Sequence, residues 1–304
     1  MLFSIPFLND IFSTFSDWDS LIPKPISEEK LKKEGKLSQQ GIKRLKLKYQ
    51  VSIFSVEVLK EVQAIFKDPK RSKTKLKKSL DVGKRFSKGR ITWDAQDDTL
   101  IVLEQILECI NNVFPEKGSS YSWTEKPTKE NTTLNVKDVT TEFSDTMHIR
   151  DIASNVFAGL QKRCQKTENE PLANGDILTE ERTLVKSAPD ICFFSLVFRR
   201  QFVVIDENEP ICTAKCVKDF DIEKTLDISG HIQGTPSDTK HRLHAILCHS
   251  GYDVDRGHFT CYIKRGTEWY YHDDETVSKT TFREVKKTSG GFEKTSYVLV
   301  YLKE

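Results

Sequence analysis

RLHAILCHSGYDVDRGHFTCYIKRGTEWYYHDD, residues Arg242–Asp274, is the stretch that indicates the fold most directly. His258 begins a segment in which apolar and polar residues alternate, the period of two that is typical of a β-strand. The residues Lys264–Glu268 have the length of a hairpin loop, so a second strand is predicted at Trp269–His272. This hairpin brings Asp273 beside His258.

A histidine next to a carboxylate can activate a thiol or hydroxyl nucleophile. The carboxylate selects the imidazole tautomer and stabilises the imidazolium that forms. We therefore predict His258 and Asp273 as a catalytic pair, about 2.6 to 3.2 Å apart. Asp274 is the alternative partner, because only one of two consecutive strand residues can face the histidine.

Several segments of this chain, taken together, resemble the ubiquitin-specific protease family. GHFTCYIK, EWYYHDDETV and the terminal TSYVLVYLKE resemble the family's histidine box, and three earlier segments match in the same order. These are AQDDTLIVLEQILECI (Ala95–Ile110), PDICFFSLVFRRQF (Pro189–Phe202) and KDFDIEKTLDISGHI (Lys218–Ile232). Ordered matches over so long a span are more specific than any single motif.

The resemblance implies an α+β fold of the papain-like cysteine protease superfamily. A helical thumb would pack on an antiparallel palm sheet with a reduced fingers extension. We expect a single domain over residues 1–304, with thumb and short fingers in 1–180 and the palm in 181–304. The implied partner is ubiquitin or a ubiquitinated protein, and no cofactor is expected. The residues expected to bind substrate are Gln96, Asp97, Gly257, Tyr262 and Trp269.

The nucleophile that the resemblance requires is not found. The family places a cysteine at a helix N-terminus, where the helix dipole lowers the thiol pKa. Here Phe7, Leu8 and Asn9 match the residues just after that cysteine, so Pro6 falls on the nucleophile position. Proline has no side-chain atom that can attack a carbonyl and no N–H to donate to an oxyanion.

The seven cysteines of the chain offer no clear replacement. Cys109, Cys192, Cys248 and Cys261 fall in apolar patterns, where a free cysteine usually behaves as a small buried hydrophobe. Cys164 lies near the end of a predicted helix, where the dipole raises a thiol pKa.

Metal binding is a separate question. Cys212 and Cys216 have a spacing that zinc ligands can use, but the sequence offers no second pair. We predict no metal site.

Helices are predicted first along the chain and strands later. The helical patterns are Pro6–Phe15, Val51–Phe66, Asp97–Val113 and His148–Gln165. Polar stretches at Ile22–Gln40, Gly118–Thr133 and Lys166–Glu181 predict surface loops or linkers. From Ile191 onward the pattern is one strand after another. This order is typical of an α+β domain.

Composition favours an intracellular globular protein. No apolar run approaches the roughly 20 residues that span a bilayer, and the opening residues do not have the pattern of a secretion signal. Lys67–Arg90 holds eleven Lys or Arg against two Asp but only one aromatic residue, so nucleic-acid binding is not expected. Reduced cysteines predict the cytoplasm or nucleus.

Three functions remain open from the sequence. The chain could be a pseudoenzyme that binds ubiquitin or a ubiquitin-like modifier without cleaving. It could be an active cysteine deubiquitinase whose cysteine-bearing segment is missing from this sequence. A third reading is a structural scaffold subunit.

Overall fold

The computed structural model describes most of the chain. The described residues are 5–22, 39–68, 99–118, 121, 123–125, 128–131, 136–139, 142–144, 146–149, 152–164, 167–171, 177–181, 189–203, 212–232, 239–252 and 257–304. They belong to two compact units, residues 2–118 and residues 119–304. The expectation of one domain over 1–304 stays a prediction. No helix among the described residues is long and apolar enough to cross a membrane.

The first unit is helical. Its helices are α1 (Pro6–Thr14), α2 (Gln39–Lys67), α3 (Thr99–Val113) and α4 (Pro115–Gly118). The α2 helix begins at Gln39, well before the predicted Val51, and its first turns expose Lys43, Lys46 and Lys48. The α3 helix ends at Val113 as predicted, and Pro115 begins α4.

Gln63 on α2 holds the end of α1 in place. The buried Gln63 amide donates to the carbonyls of Phe12, at 3.0 Å, and Phe15, at 2.5 Å. Its oxygen accepts from the indole N–H of Trp18 at 2.8 Å. The last carbonyls of a helix have no partner within it, so a side chain that bonds to them stabilises the helix end. The core of this unit includes Leu8, Phe12, Leu59, Val62, Leu103, Leu107 and Ile110.

The second unit begins with short strands. They are β1 (Trp123–Glu125), β2 (Thr128–Asn131), β3 (Val136–Val139), β4 (Glu142–Ser144) and β5 (Met147–His148). Next come α5 (Val156–Cys164), β6 (Thr167–Pro171) and β7 (Ile177–Glu181). β1 pairs with β4, and β3, β2, β7 and β6 form a separate four-stranded sheet.

The later strands of the described residues belong to the main sheet, except for two that pair with each other. They are β8 (Ile191–Ser195), β9 (Arg200–Val203), β10 (Cys212–Lys215), β11 (Thr225–Asp227), β12 (Lys240–Ser250), β13 (His258–Arg265), β14 (Glu268–Asp273), β15 (Thr276–Thr280) and β16 (Thr295–Lys303), with α6 (Phe282–Lys286) between the last two. The sheet has the order β15-β14-β13-β12-β16-β8-β5, with β11 also paired to β12. β9 and β10 form their own pair. The α+β expectation is confirmed.

The predicted helix His148–Gln165 is wrong at its start. His148 pairs with Ser195 in β5, parallel to β8, and the helix begins only at Val156. Asn155 defines that start, because its side-chain oxygen accepts from the N–H of Ala158 at 2.8 Å.

Two of the predicted polar loops also contain strands. Gly118–Thr133 includes β1 and β2, and Lys166–Glu181 includes β6 and β7. Their residues are mostly polar and show little apolar alternation, which is the pattern on which strand prediction depends. Most of the third stretch, Ile22–Gln40, lies outside the described residues.

Candidate functional site

The site is built on the hairpin of β13 and β14. The strands pair antiparallel from Arg265↔Glu268 to Cys261↔His272, around a two-residue turn in which Gly266 has a φ of 59°. Extending this register by one residue sets Asp273 opposite Thr260. His258 lies two residues before Thr260 and so on the same face, as a diagonal neighbour of Asp273.

The predicted contact between these two side chains is present. Nε2 of His258 lies 2.5 Å from Oδ1 of Asp273, and the two side chains are 47% and 37% exposed. Because an ionised carboxylate only accepts hydrogen bonds, the proton between them belongs to Nε2. Nδ1 is then the basic nitrogen of the imidazole. The catalytic assignment of the pair stays a prediction.

Asp273 is held at both of its oxygens. The hydroxyl of Tyr271 donates to Oδ2 at 2.9 Å, and Nζ of Lys294 lies 3.8 Å from the centre of the Tyr271 ring. The hydrogen bonds from His258 and Tyr271 lower the pKa of Asp273 below its ordinary value. Sequence reasoning missed Tyr271. The available signal was its position two residues before Asp273 on β14, which puts both side chains on one face.

Asp274, the alternative partner, lies in the turn between β14 and β15 with a φ of 47°. Aspartate tolerates this left-handed conformation better than most residues. Ligand atoms of His258, Asp273 and Asp274 all lie within 4.8 Å of one another, so these three residues could hold a divalent cation. The prediction of no metal site stays a prediction, because exposed carboxylates near a histidine do not by themselves indicate one.

Gly257 allows the chain to enter β13 close to the end of β12. It has a φ of 156°, and a Cβ atom there would lie 2.1 Å from the carbonyl oxygen of Ser250 and 2.4 Å from Nε2 of His249. A side chain at position 257 would therefore force the backbone to shift directly before His258. A contact between Gly257 and substrate stays a prediction.

The other residues expected to bind substrate have different surroundings. Tyr262 and Trp269 are buried, with 5% and 7% of their surface exposed, and both belong to the core of the sheet. In this structure their side chains pack in the core beneath the hairpin strands to which they belong. Gln96 and Asp97 lie outside the described residues.

The buried Lys215 holds the end of β12 and the start of the segment that leads to His258. Nζ of Lys215 donates to the carbonyls of His249, Gly251 and Phe292 at 2.8, 3.1 and 3.4 Å. Burial, with help from the nearby Arg199, lowers the pKa of Lys215 to about 8. Gly251 begins the segment that leads to His258, so Lys215 supports one end of that segment. No pattern in the sequence distinguished this lysine from an exposed one.

Pro6, at the predicted nucleophile position, is the first residue of α1. Proline suits this place, since the first N–H groups of a helix have no partner within the helix. The helix start agrees with the resemblance, which puts the nucleophile at a helix N-terminus.

The buried cysteines are poor substitutes for a nucleophile. Burial raises the pKa of both Cys109 and Cys248 to about 12, and it also raises the pKa of Cys192. A thiol in such surroundings stays protonated at neutral pH and is inert.

Comparisons with known proteins agree with this architecture. The family model described as ubiquitin carboxyl-terminal hydrolase matches residues 1–301. The human protein named ubiquitin carboxyl-terminal hydrolase 42 is 32% identical over 91 residues, which are 29% of this chain and 6% of that protein. Ubiquitin carboxyl-terminal hydrolase 20 of Arabidopsis thaliana is 26% identical over 135 residues, 43% of this chain and 18% of that protein.

These matches cover only a small part of each relative's length. The family match, in contrast, extends over nearly all of this chain, and the architecture of the family is papain-like. The chain therefore belongs to the ubiquitin carboxyl-terminal hydrolase family, and its lineage is that of the ubiquitin-specific deubiquitinases.

Proposed function

We propose that this chain binds ubiquitin or a ubiquitin-like modifier and, as given, does not hydrolyse it. The observation that carries the proposal is the contact between His258 and Asp273, in a chain whose resemblance to the family puts Pro6 at the nucleophile position. Covalent catalysis proceeds through an acyl intermediate on the attacking atom. A base and its orienting carboxylate cannot replace that atom.

The intact pair also supports a second candidate, an active cysteine deubiquitinase. If a thiol met Nδ1 of His258, the imidazole would accept its proton, and Asp273 would stabilise the imidazolium. The thiolate would then attack the carbonyl at the ubiquitin C-terminus. In this candidate the cysteine lies in a segment missing from this sequence.

Hydrolysis and binding are tested separately. The purified chain is incubated with ubiquitin that carries a C-terminal fluorogenic amide and, in parallel, with a thiol-reactive ubiquitin probe. We expect neither turnover nor covalent labelling. Turnover that His258→Ala abolishes, together with labelling of one cysteine, would overturn the claim that the chain is inactive.

Calorimetric titration with ubiquitin tests the binding half of the proposal. We expect saturable binding with the reactive end of ubiquitin near His258, so that blocking the ubiquitin C-terminus with a bulky group weakens it. An absence of binding at millimolar ubiquitin would reject this half.

Pro6→Cys sharpens the test of the nucleophile position. We expect little recovered turnover, because the residues just before Pro6, MLFSI, do not match the family segment that carries an oxyanion donor. Losing one such donor typically lowers kcat about 10²- to 10³-fold. Rapid turnover in the Pro6→Cys variant would show that the donors are present after all.

We also propose that the protein resides in the cytoplasm or nucleus. The six cysteines with a described side chain are all free, and reduced thiols are typical of these compartments. Imaging of a fluorescently tagged chain tests the proposal, and a secretory location would contradict it.

A further inference from the structure

A notch interrupts one edge of β12, away from the candidate site. On the edge opposite β16, β12 pairs with β13 over Ala245–Ser250 and with β11 over Lys240–Arg242. Between these two partners a cavity of about 570 Å³ opens, a size typical of small-ligand sites. We call this cavity the basic notch.

Basic side chains from separate segments converge on the notch. Lys224, Arg242, Lys264 and Lys279 line it, and Glu268 is the single carboxylate among the lining residues. Four cations and one carboxylate leave a net formal charge of +3 on the lining. Such a concentration of like charge in a concave site attracts anions.

Two of the four cations are already paired. Arg242 bonds to Glu304 at 2.8 Å, and Lys279 bonds to Glu268. Nζ of Lys224 lies 4.7 Å from the centre of the Phe282 ring, and Lys264 has no ion pair among the residues that the structure describes. Lys224 and Lys264 are thus the cations available to a ligand.

The surroundings of Lys264 disfavour its positive charge. Burial lowers the pKa of Lys264, and the nearby Arg242 and Lys224 lower it further, whereas Glu304 raises it. A bound anion would relieve this repulsion, because it brings negative charge between three cations.

The other lining groups favour phosphate over a single carboxylate. Thr225, Thr267 and Thr280 contribute hydroxyl groups, and the ammonium groups of Lys224 and Lys264 offer further N–H donors. Two of the cations already have carboxylate partners. A ligand with one negative charge would therefore gain little electrostatic stabilisation from the notch. A group with several charges and several acceptor oxygens matches both the net charge and the donors.

The notch is separate from the candidate site. His258 begins β13, and Lys264 lies six residues further along the same strand. At roughly 3.3 Å per residue, about 20 Å separate the two positions. A ligand in the notch therefore does not need to contact the acid–base pair.

We propose that the basic notch binds a multiply charged phosphate group, carried either by a free polyphosphate or by a phosphorylated peptide. This binding is independent of the proposed recognition of ubiquitin.

The test measures binding of two probes to the full chain by calorimetry at low salt. One probe is sodium tripolyphosphate, and the other is a peptide with two phosphoserines, compared with its unphosphorylated form. We expect at least one probe to bind with a Kd below about 1 mM and to weaken as salt rises. Binding of tripolyphosphate alone would identify a free anion as the ligand, and binding of the phosphopeptide alone would identify a phosphoprotein.

Variants assign the binding to the notch. We expect the double variant Lys224→Gln and Lys264→Gln to weaken binding about tenfold or more, because each lost contact to a charged group costs on the order of a kcal/mol. Lys287→Gln, outside the notch, is the matched control and should leave the Kd within about twofold.

Two outcomes would overturn the proposal: no binding of either probe, or equal binding by the double variant and the control. A thermal unfolding scan of each variant shows whether it is folded. Should the double variant fail to fold, Lys264→Gln alone replaces it, with the same criterion for the Kd.

Discussion

β16 and the open end of the β13–β14 hairpin belong to the same sheet but differ in burial. β16 lies between β12 and β8, and its residues Thr295–Tyr301 are all buried. The side chains of His258 and Asp273, in contrast, are 47% and 37% exposed. The centre of the sheet supplies stability, whereas the open end of the hairpin keeps the Asp273 carboxylate ionised and accessible.

The largest expected effect comes from deleting Tyr297–Glu304. This removes the central partner of β12 and β8 together with five core side chains, those of Tyr297, Val298, Leu299, Val300 and Tyr301. Burial of each contributes about 1.5 to 3 kcal/mol, and the sum approaches or exceeds the typical 5 to 15 kcal/mol stability of a protein.

We expect the truncated chain to lose its cooperative unfolding transition, measured by circular dichroism during heating. Deleting only Lys303 and Glu304, which follow the buried part of β16, is the control and should preserve the transition. A transition near that of the full chain after the longer deletion would contradict a central role for β16.

The second largest loss of stability is expected when a buried cation is replaced. Arg199 is fully buried, and its guanidinium donates to the carbonyls of Cys216, Lys218 and Ser289. Arg199→Met would leave these acceptors without that donor, and we expect a loss of about 3 kcal/mol in the free energy of unfolding by urea titration.

Arg242→Met is the exposed counterpart of this change. The side chain of Arg242 is 58% exposed and paired with Glu304, so its loss should cost less than about 1 kcal/mol. Equal losses in the two variants would mean that burial does not determine the effect.

A moderate effect is expected where the chain enters the candidate site. Gly257→Ala would force a Cβ atom to within 2.1 Å of the carbonyl oxygen of Ser250 unless the backbone shifts. Such overpacking costs about 1 to 3 kcal/mol. The same shift should lengthen the contact between His258 and Asp273, which nuclear magnetic resonance of the imidazole would report.

Gly230→Ala is the control for this substitution, because a Cβ atom there would meet nothing within 4 Å. Its free energy of unfolding should stay within about 0.5 kcal/mol of the original chain. A Gly257→Ala variant with unchanged stability and unchanged imidazole resonances would show that the close approach is easily relieved.

The smallest expected effect concerns the protonation of Asp273 at the open end of the hairpin. The hydrogen bonds from His258 and Tyr271 lower the pKa of Asp273. The stabilisation from this contact is therefore complete above the ordinary aspartate pKa, and it is lost as the pH falls through the lowered value in the folded protein.

Titration of the Asp273 carboxyl carbon by nuclear magnetic resonance measures this shift. We expect the pKa to rise toward its ordinary value in Tyr271→Phe, since one donor to the ionised form is lost. Tyr270→Phe is the matched control, because its hydroxyl donates to Glu268 instead. A Tyr271→Phe titration identical to that of the original chain would show that this hydroxyl does not influence the carboxylate.

Local patterns predicted the parts of the site that lie close together in the chain. His258 and Asp273 are separated by a single hairpin, so strand alternation was enough to bring them together, although the turn has two residues and the predicted loop Lys264–Glu268 is wrong. Their diagonal contact at 2.5 Å agrees with that geometry. Tyr271 was missed because a tyrosine on a strand has many possible partners, and only the tertiary structure shows that its hydroxyl donates to Asp273.

The amino-acid sequence by itself determined the α+β class and the contact of His258 with Asp273. Each depends on periodicity or on short loops, which are local properties of the chain. Only the tertiary structure decided that His148 joins a strand beside β8, that Arg199 and Lys215 are buried, and that basic side chains from several strands surround one notch. These features depend on contacts between residues far apart in the chain, where burial and the available hydrogen-bond partners override local preference.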